Sequence, residues 1–386
     1  MKLIFKILKF VLCFLGVLVL IVGGYVGYVL LQYYRIDDNQ ELKVENYVSE
    51  KVQLNQEYSI STYNIGFGAY NQDYTFFMDT GIMSDGTIVS GEHATAVSKD
   101  VVVEDTNGAI KTIKSFNPDF ALFQEVDTDS GRSYNVNQYQ MIKDELSTYT
   151  STFAVNFHSA YLLYPFNDPI GQIDSGIATM SKYSIESSTR KSFTITDDMI
   201  NKLFDLDRCF SASYLPIKDS NKYLVLMNIH MSAYDEGGVI RAKQMQELND
   251  FMLSEYNKGN YIVAGGDFNH DLLTNNPNYE YSIANMPFKN SYTQLTPPWL
   301  SFLFDNNHKS PINEKFSVIA ADNSPTCRDA DIKWQPGTTY VSVIDGFIVS
   351  DNVEVTHKAN LQTFTNKAMG FAYSDHEPAT MKFILK

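Results

Sequence analysis

The feature that most constrains this chain is a run of 25 residues without a charged side chain, from Phe10 to Tyr34. As a helix, such a run rises about 37 Å, which is enough to cross a hydrocarbon core about 30 Å thick. Three lysines precede the run, whereas Arg35 is followed at once by two aspartates. Because cytoplasmic flanks carry the excess of Lys and Arg, this pattern predicts a cytoplasmic N-terminus and a domain on the extracytoplasmic side.

A cleaved signal peptide is the competing interpretation of this segment. Its apolar core is normally about 7–15 residues long and ends in small residues before the cleavage site. Here the run is longer and ends in Leu, Gln and Tyr, without an Ala-x-Ala pattern. We therefore expect residues 1–35 to form a cytoplasmic stub and an uncleaved single-pass anchor in the cell membrane. Residues 36–57 would be a short connector, and residues 58–386 one large domain.

The chain beyond this segment is strongly acidic. The first 35 residues hold four of the 30 basic residues and none of the 45 acidic ones, which leaves a net charge of −19 on the rest. Non-specific binding of nucleic acid depends on basic side chains that replace counterions along its backbone. The charge therefore disfavours a general nuclease, although a local basic cleft can still attract a polyanion.

Cysteine usage excludes a disulfide-stapled scaffold. Cys13 lies in the apolar run, and only Cys209 and Cys327 remain for the large domain. Disulfide-rich secreted domains are small and cysteine-dense, and no Cys-x-x-Cys pair or Cys/His cluster indicates a zinc site. One disulfide between Cys209 and Cys327 stays open at this stage.

Short apolar runs followed by polar residues recur along the large domain. They are too apolar for a sheet with one face in water, so each predicts a strand that is buried on both faces. The predicted strands are Tyr58–Asn64, Asp119–Val126, Tyr223–His230, Tyr261–Gly265, Val341–Ser350 and Ala379–Leu385. The predicted helices are Gly108–Phe116, Asn135–Leu146 and Val239–Asn257. This alternation predicts an α/β (α+β) fold, and the Asn- and Pro-rich stretch Asn275–Pro336 is interpreted as long loops around a rim.

The chemically informative residues lie at the ends of these strands, where a rigid scaffold presents reactive groups. Acids, amides and histidines stand beside the apolar runs in six places. These are Tyr63-Asn64-Ile65-Gly66, Phe123-Gln124-Glu125-Val126, Asn228-Ile229-His230, Gly265-Gly266-Asp267-Phe268-Asn269, Ile344-Asp345-Gly346-Phe347 and Ser374-Asp375-His376-Glu377-Pro378.

Taken singly, these residues also have purely structural interpretations. Glu125 can be a strand-end carboxylate in water, Asn64 a turn residue, and His230 a hydrogen-bonded core histidine. Asp345 lies in an otherwise apolar run, where a charge needs a charged or hydrogen-bonded partner. The recurrence of six such segments in one chain favours a shared functional site.

In this order, the six segments resemble the endonuclease/exonuclease/phosphatase family. That family includes pancreatic-type deoxyribonucleases, abasic-site endonucleases, bacterial sphingomyelinases and inositol-phosphate phosphatases. The resemblance spans about Tyr58 to the C-terminus, and Gly-Asp-Phe-Asn with the later Ser-Asp-His carries most of its specificity. The segment Asp174–Ala178 resembles the small-residue segment that precedes a strand in the family. The implied fold is a four-layer sandwich, in which helices flank two central β-sheets.

The resemblance also implies roles for individual residues. Glu125, Asn64 and Asp375 would bind Mg²⁺, a cation that prefers oxygen ligands, with Mn²⁺ as a substitute. His376 would pair with Asp345, which would fix the tautomer of the imidazole and raise its pKa. The chain would then be a metal-dependent phosphoric ester hydrolase, with residues 58–386 as its catalytic domain.

Further residues complete the implied site. Either the His376–Asp345 pair or the carboxylate of Asp267 would prepare the attacking water, and the residues leave this choice open. Asn269 would hold a phosphate oxygen, and His230 would donate to the phosphate or to the leaving group. Three arginines are candidate phosphate contacts: Arg208 first, and then Arg132 and Arg328.

The sequence indicates a reaction class more sharply than a substrate, because one catalytic set serves many substrates in such a fold. The net charge favours a phosphoester other than duplex nucleic acid: a phospholipid headgroup, an inositol phosphate or a nucleotide. An extracellular nuclease that acts on DNA or RNA is the alternative. A non-catalytic surface-binding module is the alternative of another class, and the presence of both Glu125 and His376 argues against it.

Overall fold

The computed structural model describes residues 2–195, 207–233, 239–273, 293–297, 300–303, 311–366 and 368–386. Part of the loop region expected at Asn275–Pro336 lies outside these residues. The described remainder of that region is not all loop, because it contains the strands Ser301–Phe302, Phe316–Ile319 and Cys327–Arg328.

Strands and helices are numbered in chain order over the described residues. The strands are β1 (Gln40–Glu41), β2 (Glu57–Asn64), β3 (Thr80–Ile82), β4 (Ile88–Ser90), β5 (Phe120–Asp127), β6 (Thr150–Leu162), β7 (Gly171–Ser181), β8 (Ser187–Ser192), β9 (Cys209–Pro216), β10 (Tyr223–His230), β11 (Tyr261–Asp267), β12 (His270–Asp271), β13 (Ser301–Phe302), β14 (Phe316–Ile319), β15 (Cys327–Arg328), β16 (Val341–Ser342), β17 (Asp345–Ser350), β18 (Val353–Asn360) and β19 (Ala379–Leu385). The helices are α1 (Lys2–Gln32), α2 (Lys99–Phe116), α3 (Gln138–Glu145) and α4 (Val239–Asn257).

Two mixed sheets form the centre of the domain. The first has the order β1-β8-β9-β10-β11-β17-β14, and the second has the order β18-β19-β2-β5-β7-β6. One central pair in each sheet is parallel, β10 with β11 and β2 with β5, while the strands beside them are antiparallel. Since parallel strands end at the same edge of a sheet, each pair presents its carboxyl ends together.

Side-chain alternation along β10 shows how the layers stack. Leu224 and Leu226 face the core between the two sheets, where they pack with side chains of β2, β5 and β19. Val225 and Met227 face the other way, against Met245 of α4. Helices α2 and α3 cover the outer face of the second sheet in the same manner. The fold is therefore the expected four-layer sandwich, with helices flanking two central sheets.

Several element bounds agree with the sequence pattern, and others differ. Strands β10 and β19 and helix α4 have the predicted bounds. Helix α2 begins at Lys99 instead of Gly108, because Ser98 caps it by accepting a hydrogen bond from the Val101 N–H at 3.2 Å. Cap residues of this kind are typical of helix N-termini. Helix α3 is shorter at both ends than predicted.

The apolar pattern does not predict β6, β8, β9 or β18, nor the extent of β7. The buried positions of β8 are polar: Ser188 lies 2.9 Å from Ser213 of β9, and Arg190 is fully buried. The segment Asp174–Ala178 lies within β7 instead of before a strand, so that expectation was wrong. The predicted strand Val341–Ser350 is two strands, because β16 pairs with β15 in a separate ladder before β17 joins β11.

The two cysteines of the domain are not bonded to each other. Cys209 lies in β9 and Cys327 in β15, and both are buried free thiols. Burial raises the pKa of Cys209 to about 11 and that of Cys327 to about 12. Buried thiols of this kind are unreactive.

The segment between α1 and the domain packs onto the domain. β1 pairs with β8 at the edge of the first sheet, and Glu45 forms a bridge to Ser151 near the start of β6. Leu42 and Val52 are buried. Helix α1 is long and apolar enough to cross a membrane, and 0% of the residues in its most apolar stretch are buried. A signal sequence has the same length and hydropathy.

Asp105 on α2 makes the stability of the protein depend on pH. Its carboxyl is buried beside the side chain of Asn71, and burial raises its pKa from 3.8 to about 8. The folded state therefore holds a proton that the unfolded state releases, so stability falls as pH rises between about 4 and about 8. We expect a lower melting temperature at pH 8 than at pH 5, and a smaller difference in Asp105→Asn, measured by circular dichroism. Equal differences in both proteins would contradict this role.

Candidate active site

Strand direction brings the first group of predicted site residues together. β10 and β11 are parallel, and they pair His230 with Asp267 at their carboxyl ends. β17 is antiparallel to β11, so its first residue, Asp345, also pairs with Asp267. Three residues that are far apart in sequence therefore meet at one edge of the first sheet.

The same rule operates in the second sheet. β2 ends at Asn64 beside its parallel neighbour β5. β19 is antiparallel to β2, so the segment before it, which holds Asp375 and His376, lies at the same edge. The hydroxyl of Ser374 joins this segment to β2 by donating a hydrogen bond to the Asn64 carbonyl at 2.9 Å. Since the sheets stack face to face, the two edges adjoin, and Asn64 Nδ2 lies 3.0 Å from Asp267 Oδ2.

Glu125 reaches the site through a β-bulge. The pairing of β5 with β7 shifts register between Phe123 and Val126, and Glu125 has a φ of 53°. A bulge redirects a side chain out of its ladder. The Glu125 carboxylate consequently lies 3.2 Å from Asn64 Nδ2 and keeps a quarter of its side-chain surface exposed.

His376 and Asp345 form a buried pair. His376 Nδ1 lies 2.8 Å from Asp345 Oδ2, and the Asp345 N–H donates to Thr326 Oγ1 at 3.1 Å. Burial alone would lower the pKa of His376, but the carboxylates of Asp345 and Asp267 hold it well above its usual value. These carboxylates therefore favour the protonated imidazole, whose Nε2 lies 3.7 Å from Asp267 Oδ2.

Asp267 lies between the site residues of the first sheet and those of the second sheet. Its Oδ1 accepts a hydrogen bond from the Asn269 N–H at 2.8 Å, and its Oδ2 lies 3.6 Å from His230 Nε2. Burial raises the pKa of Asp267 to about 6, against the opposing effect of the His376 charge. A carboxylate that titrates near neutrality is suited to proton transfer at physiological pH.

His230 and Asn269 are held by neighbours outside the predicted set. Asn156 Nδ2 lies 3.3 Å from His230 Nδ1, and Asn269 Nδ2 donates to the Met231 carbonyl at 2.8 Å. Burial lowers the pKa of His230 well below its usual value, and the charge of Arg208 adds to the effect. His230 is therefore a neutral imidazole.

The polar cluster opens onto a cavity of about 570 Å³. The catalytic candidates on its lining are Glu125, Arg208, His230, Asp267, Asn269, Asp375 and His376. Much of the remaining wall is aromatic or aliphatic, with side chains from the β6–β7 hairpin and from residues 67–78. A cavity of this volume, in which a cluster of charged and polar side chains adjoins an apolar wall, is typical of a site for a small ligand.

Most of the chain, residues 62–376, matches the sequence profile of the Endonuclease/Exonuclease/phosphatase family. The chain belongs to this family. It is accordingly a metal-dependent phosphoric ester hydrolase, as the six polar segments predict. No curated protein sequence matches the chain.

Solved structures share the family fold at low sequence identity. D. rerio TDP2 complexed with a single-strand DNA product has a TM-score of 0.51 and 13% identity, over 85% of this chain and 99% of that one. ANGEL2, a 2',3'-cyclic phosphatase, in complex with adenosine-2',3'-vanadate has a TM-score of 0.51 and 16% identity, over 89% and 98%. An endonuclease/exonuclease/phosphatase from Beutenbergia cavernae DSM 12333 has a TM-score of 0.51 and 14% identity, over 86% and 72%. At these identities the likeness shows the fold alone.

The donors of this family member fit a divalent cation. Burial raises the pKa of Asp375 to about 6, and the charge of Glu125 adds to that rise. A cation bound near these carboxylates would relieve their repulsion. Asp267, Asp345 and His376 form an adjoining buried group, whose potential ligand atoms lie within 4.8 Å of one another.

Asn64 stands beside these carboxylates with its amide nitrogen toward them. Its Oδ1 accepts a hydrogen bond from the Gly66 N–H at 3.0 Å and keeps a second lone pair for another partner. Gly66 has a φ of +50°, and a Cβ there would lie 3.1 Å from Asp375 Oδ1. Glycine therefore allows the chain to turn close to the acidic group.

The three candidate arginines differ in what they contact. All three line the cavity, and the Nε and Nη1 atoms of Arg208 are buried without a hydrogen-bond partner among the described residues. Arg132 pairs with Asp127 at 2.8 Å, and Arg328 donates to backbone carbonyls of neighbouring loops. These contacts of Arg132 and Arg328 stabilise the fold. They therefore favour Arg208 as the phosphate contact over the other two arginines.

Other residues also support the site, although the sequence pattern assigns no role to them. Gln124 Nε2 donates to Asn228 Oδ1 at 2.7 Å, and Asn228 Nδ2 donates to the Phe123 carbonyl at 3.2 Å, which joins the two sheets beneath the cavity. Both amides stand in the six segments, and that placement is the only sequence signal for them. Asn156 and Thr326 lie outside all six segments, and only the folded structure brings them to the histidine and the aspartate.

Proposed function

We propose that this hydrolase is a membrane-anchored, Mg²⁺-dependent phosphoesterase that cleaves a phosphodiester or phosphomonoester by attack of water. The observation that carries the proposal is the meeting of the His376–Asp345 pair, Asp267 and Glu125 at one cavity. Hydrolysis of a phosphoester needs a cation, a group that prepares water, and donors for the phosphate oxygens. Residues suited to each task line this cavity.

Glu125 and Asp375 are proposed as carboxylate ligands of Mg²⁺, with Asn64 beside them and Mn²⁺ as a substitute. Mg²⁺ prefers oxygen ligands and keeps several waters, so two carboxylates and one amide oxygen suffice. The repulsion that raises the pKa of Asp375 supports this assignment. When bound, the cation neutralises charge at the phosphate and at the leaving oxygen.

Asp267 is proposed as the group that takes a proton from the attacking water. A protonated imidazole cannot accept another proton, and the neighbouring carboxylates hold His376 in that form. The pKa of Asp267, about 6, suits a base that acts near neutral pH. His376, oriented by Asp345, would stabilise the negative charge that develops on the phosphate oxygens.

Three residues are proposed as phosphate contacts. His230 would donate from one ring nitrogen to the phosphate or to the leaving group. Asn269 Nδ2 uses one hydrogen on the Met231 carbonyl and keeps a second for a phosphate oxygen. Arg208 would supply positive charge, and the lack of a hydrogen-bond partner for its Nε and Nη1 within the described part of the chain supports this role.

A small phosphoester is proposed as the substrate, in preference to duplex nucleic acid. The net charge of −19 beyond the first 35 residues repels long polyanions. A cavity of about 570 Å³ has room for a phospholipid headgroup, an inositol phosphate or a nucleotide.

A substrate panel with the full-length chain in detergent and Mg²⁺ tests this function. We expect turnover of sphingomyelin, inositol phosphates or nucleotides to exceed turnover of supercoiled DNA, single-stranded DNA and RNA, because the acidic surface repels the polymers. The His376→Ala protein controls for contaminating hydrolases. Rapid plasmid nicking at ordinary salt would make a nuclease the better description. No turnover on the panel would favour the surface-binding module.

Residues 1–35 are proposed as an uncleaved anchor in the cell membrane, with 36–57 as connector and the catalytic domain, 58–386, on the extracytoplasmic side. The length and hydropathy of α1 and the lysines before its uncharged run support this orientation. A mature chain shorter than the full sequence by about 30 residues, found by mass spectrometry, would contradict the anchor.

A further inference from the structure

The hairpin between β6 and β7 exposes a cluster of large apolar side chains. Residues 161–166, here called the aromatic tip, present Tyr161, Leu163, Tyr164 and Phe166 to the outside. Phe166 is 82% exposed and Tyr164 is 61% exposed. Single exposed apolar residues are ordinary on a protein surface, but a contiguous group marks a site of interaction.

The aromatic tip is hydrogen-bonded to the proposed anchor helix. The hydroxyl of Tyr25 donates to the Tyr161 carbonyl and accepts from the Leu163 N–H, both at 3.1 Å. The hydroxyl of Tyr28 accepts from the Tyr161 N–H at 3.3 Å. Two tyrosines of α1 thus hold the backbone of the hairpin on both sides of Leu162.

The position of these tyrosines along α1 places the aromatic tip relative to the bilayer. About 20 helical residues cross the hydrocarbon, so a span that begins near Phe10 reaches its outer boundary near Val29. Tyrosines are enriched at such boundaries, and Tyr25 and Tyr28 lie within two turns of this one. With α1 across the bilayer, the aromatic tip lies at the outer boundary of the hydrocarbon core.

The aromatic tip is also part of the mouth of the catalytic cavity. Leu162 and Tyr164 line the cavity, together with Ile170 and Ile173 on the other arm of the hairpin. Tyr164 stacks edge-on against Phe77, with ring centroids 5.9 Å apart. Because Tyr164 is both exposed and part of the lining, the cavity opens where the hairpin meets the membrane boundary.

We propose that the aromatic tip is a second membrane contact and that the cavity takes the headgroup of a phospholipid from the outer bilayer surface. This substrate class rests on the proposed phosphoesterase function. In the reaction, the oxygen of water bonds to phosphorus, one ester P–O bond breaks, and the leaving oxygen takes a proton. An alcohol and a phosphomonoester are the products.

The chain offers a matched control at the far end of the same strand. β6 has 13 residues and is therefore roughly 40 Å long. Tyr47 lies beside its start, where Asn46 donates to the carbonyls of Ser147 and Tyr149. Tyr47 is 80% exposed, almost the same as Phe166.

A fluorescence experiment tests the membrane contact without using activity. The full-length Phe166→Trp and Tyr47→Trp proteins are reconstituted in vesicles of phosphatidylcholine, with and without brominated acyl chains. We expect blue-shifted emission and bromine quenching for Phe166→Trp beyond those of the native tryptophans, and neither for Tyr47→Trp, because only the first indole would enter the interface. Equal quenching of the two variants, or none for Phe166→Trp, would overturn the membrane contact.

A kinetic experiment tests the substrate class. Full-length Leu163→Ser/Phe166→Ser and the control Tyr47→Ser are assayed in vesicles, on phospholipid in the bilayer and on water-soluble bis(p-nitrophenyl) phosphate. We expect the double variant to lose at least about tenfold on phospholipid and to stay within about twofold on the soluble diester, since its substitutions leave the cavity lining unchanged. The control should keep both rates.

The outcomes separate this inference from the function on which it rests. Mg²⁺-dependent cleavage of the soluble diester without cleavage of bilayer phospholipid would overturn the substrate class and leave the phosphoesterase standing. Equal losses on both substrates in the double variant would also overturn it. Absence of Mg²⁺-dependent cleavage of both substrates, together with no turnover on the substrate panel, would refute the phosphoesterase itself.

Discussion

Replacement of His376 by alanine is expected to lower kcat by at least about 10²-fold, which is typical of a lost acid–base or electrostatic group. His376 is buried, positively charged and 3.7 Å from Asp267. Its loss would remove the charge that faces the phosphate and leave Asp345 as a buried carboxylate without its partner. Steady-state kinetics on the best substrate of the panel measure the effect.

His158 supplies a matched control for this substitution. Its Nδ1 lies 2.7 Å from Asp174, so it forms a similar His–Asp pair that does not line the cavity. We expect His158→Ala to stay within about twofold of the wild-type kcat. Asp345→Asn should lose nearly as much as His376→Ala, and the double variant little more, because the two residues act as a unit. Near-wild-type turnover in His376→Ala would remove this residue from the catalytic set.

Removal of divalent cations is expected to abolish activity, and Mg²⁺ should restore it. Replacement of Glu125 by glutamine keeps the shape of the side chain but removes its charge, so the Mg²⁺ concentration for half-maximal activity should rise at least about tenfold. Titration of the EDTA-treated protein with Mg²⁺ measures this change. The same titration followed by thermal unfolding gives a second readout, because a bound cation stabilises the folded state.

Glu45 is a suitable control for Glu125. Its side chain has nearly the same exposure, 24% against 25%, but it pairs with Lys43 and Lys143 on another part of the surface. Glu45→Gln is expected to lower the melting temperature without changing the Mg²⁺ requirement. EDTA-resistant hydrolysis, or an unchanged Mg²⁺ requirement in Glu125→Gln, would contradict the proposed metal roles.

The parts of the fold that could be predicted are those in which local sequence carries the signal. β10 begins with a continuous apolar run, and β19 holds five apolar residues out of seven; segments of this kind belong to largely buried strands. β8 could not be predicted, because its buried positions hold the polar residues Ser188 and Arg190, which bond to distant segments of the chain. When a buried residue is polar and is hydrogen-bonded by a distant segment, the local sequence shows no apolar pattern.

The candidate site likewise has one part that the sequence shows and one part that only the folded structure shows. The segments that hold Asp267, Asp345 and His376 are visible in the sequence, since acids and histidines stand beside apolar runs. The 2.8 Å pair of His376 with Asp345 and the role of Asn156 beside His230 are not visible there. The first depends on β17, an antiparallel strand that begins where the parallel pair β10–β11 ends, and the second on β6 of the other sheet lying beside the end of β10.

By itself, the sequence determined the family, the layered α/β architecture and the residues on which the chemistry depends, because each of these follows from the kind of side chain at each position. Only the tertiary structure decided that Glu125 turns out of its ladder at a bulge. It also decided that Arg328 donates to carbonyls of neighbouring loops, whereas Nε and Nη1 of Arg208 have no hydrogen-bond partner among the described residues. It also left Cys209 and Cys327 unbonded. The physical reason is that local pattern encodes the burial of a residue, whereas contacts between distant residues depend on the direction and register of the strands that carry them.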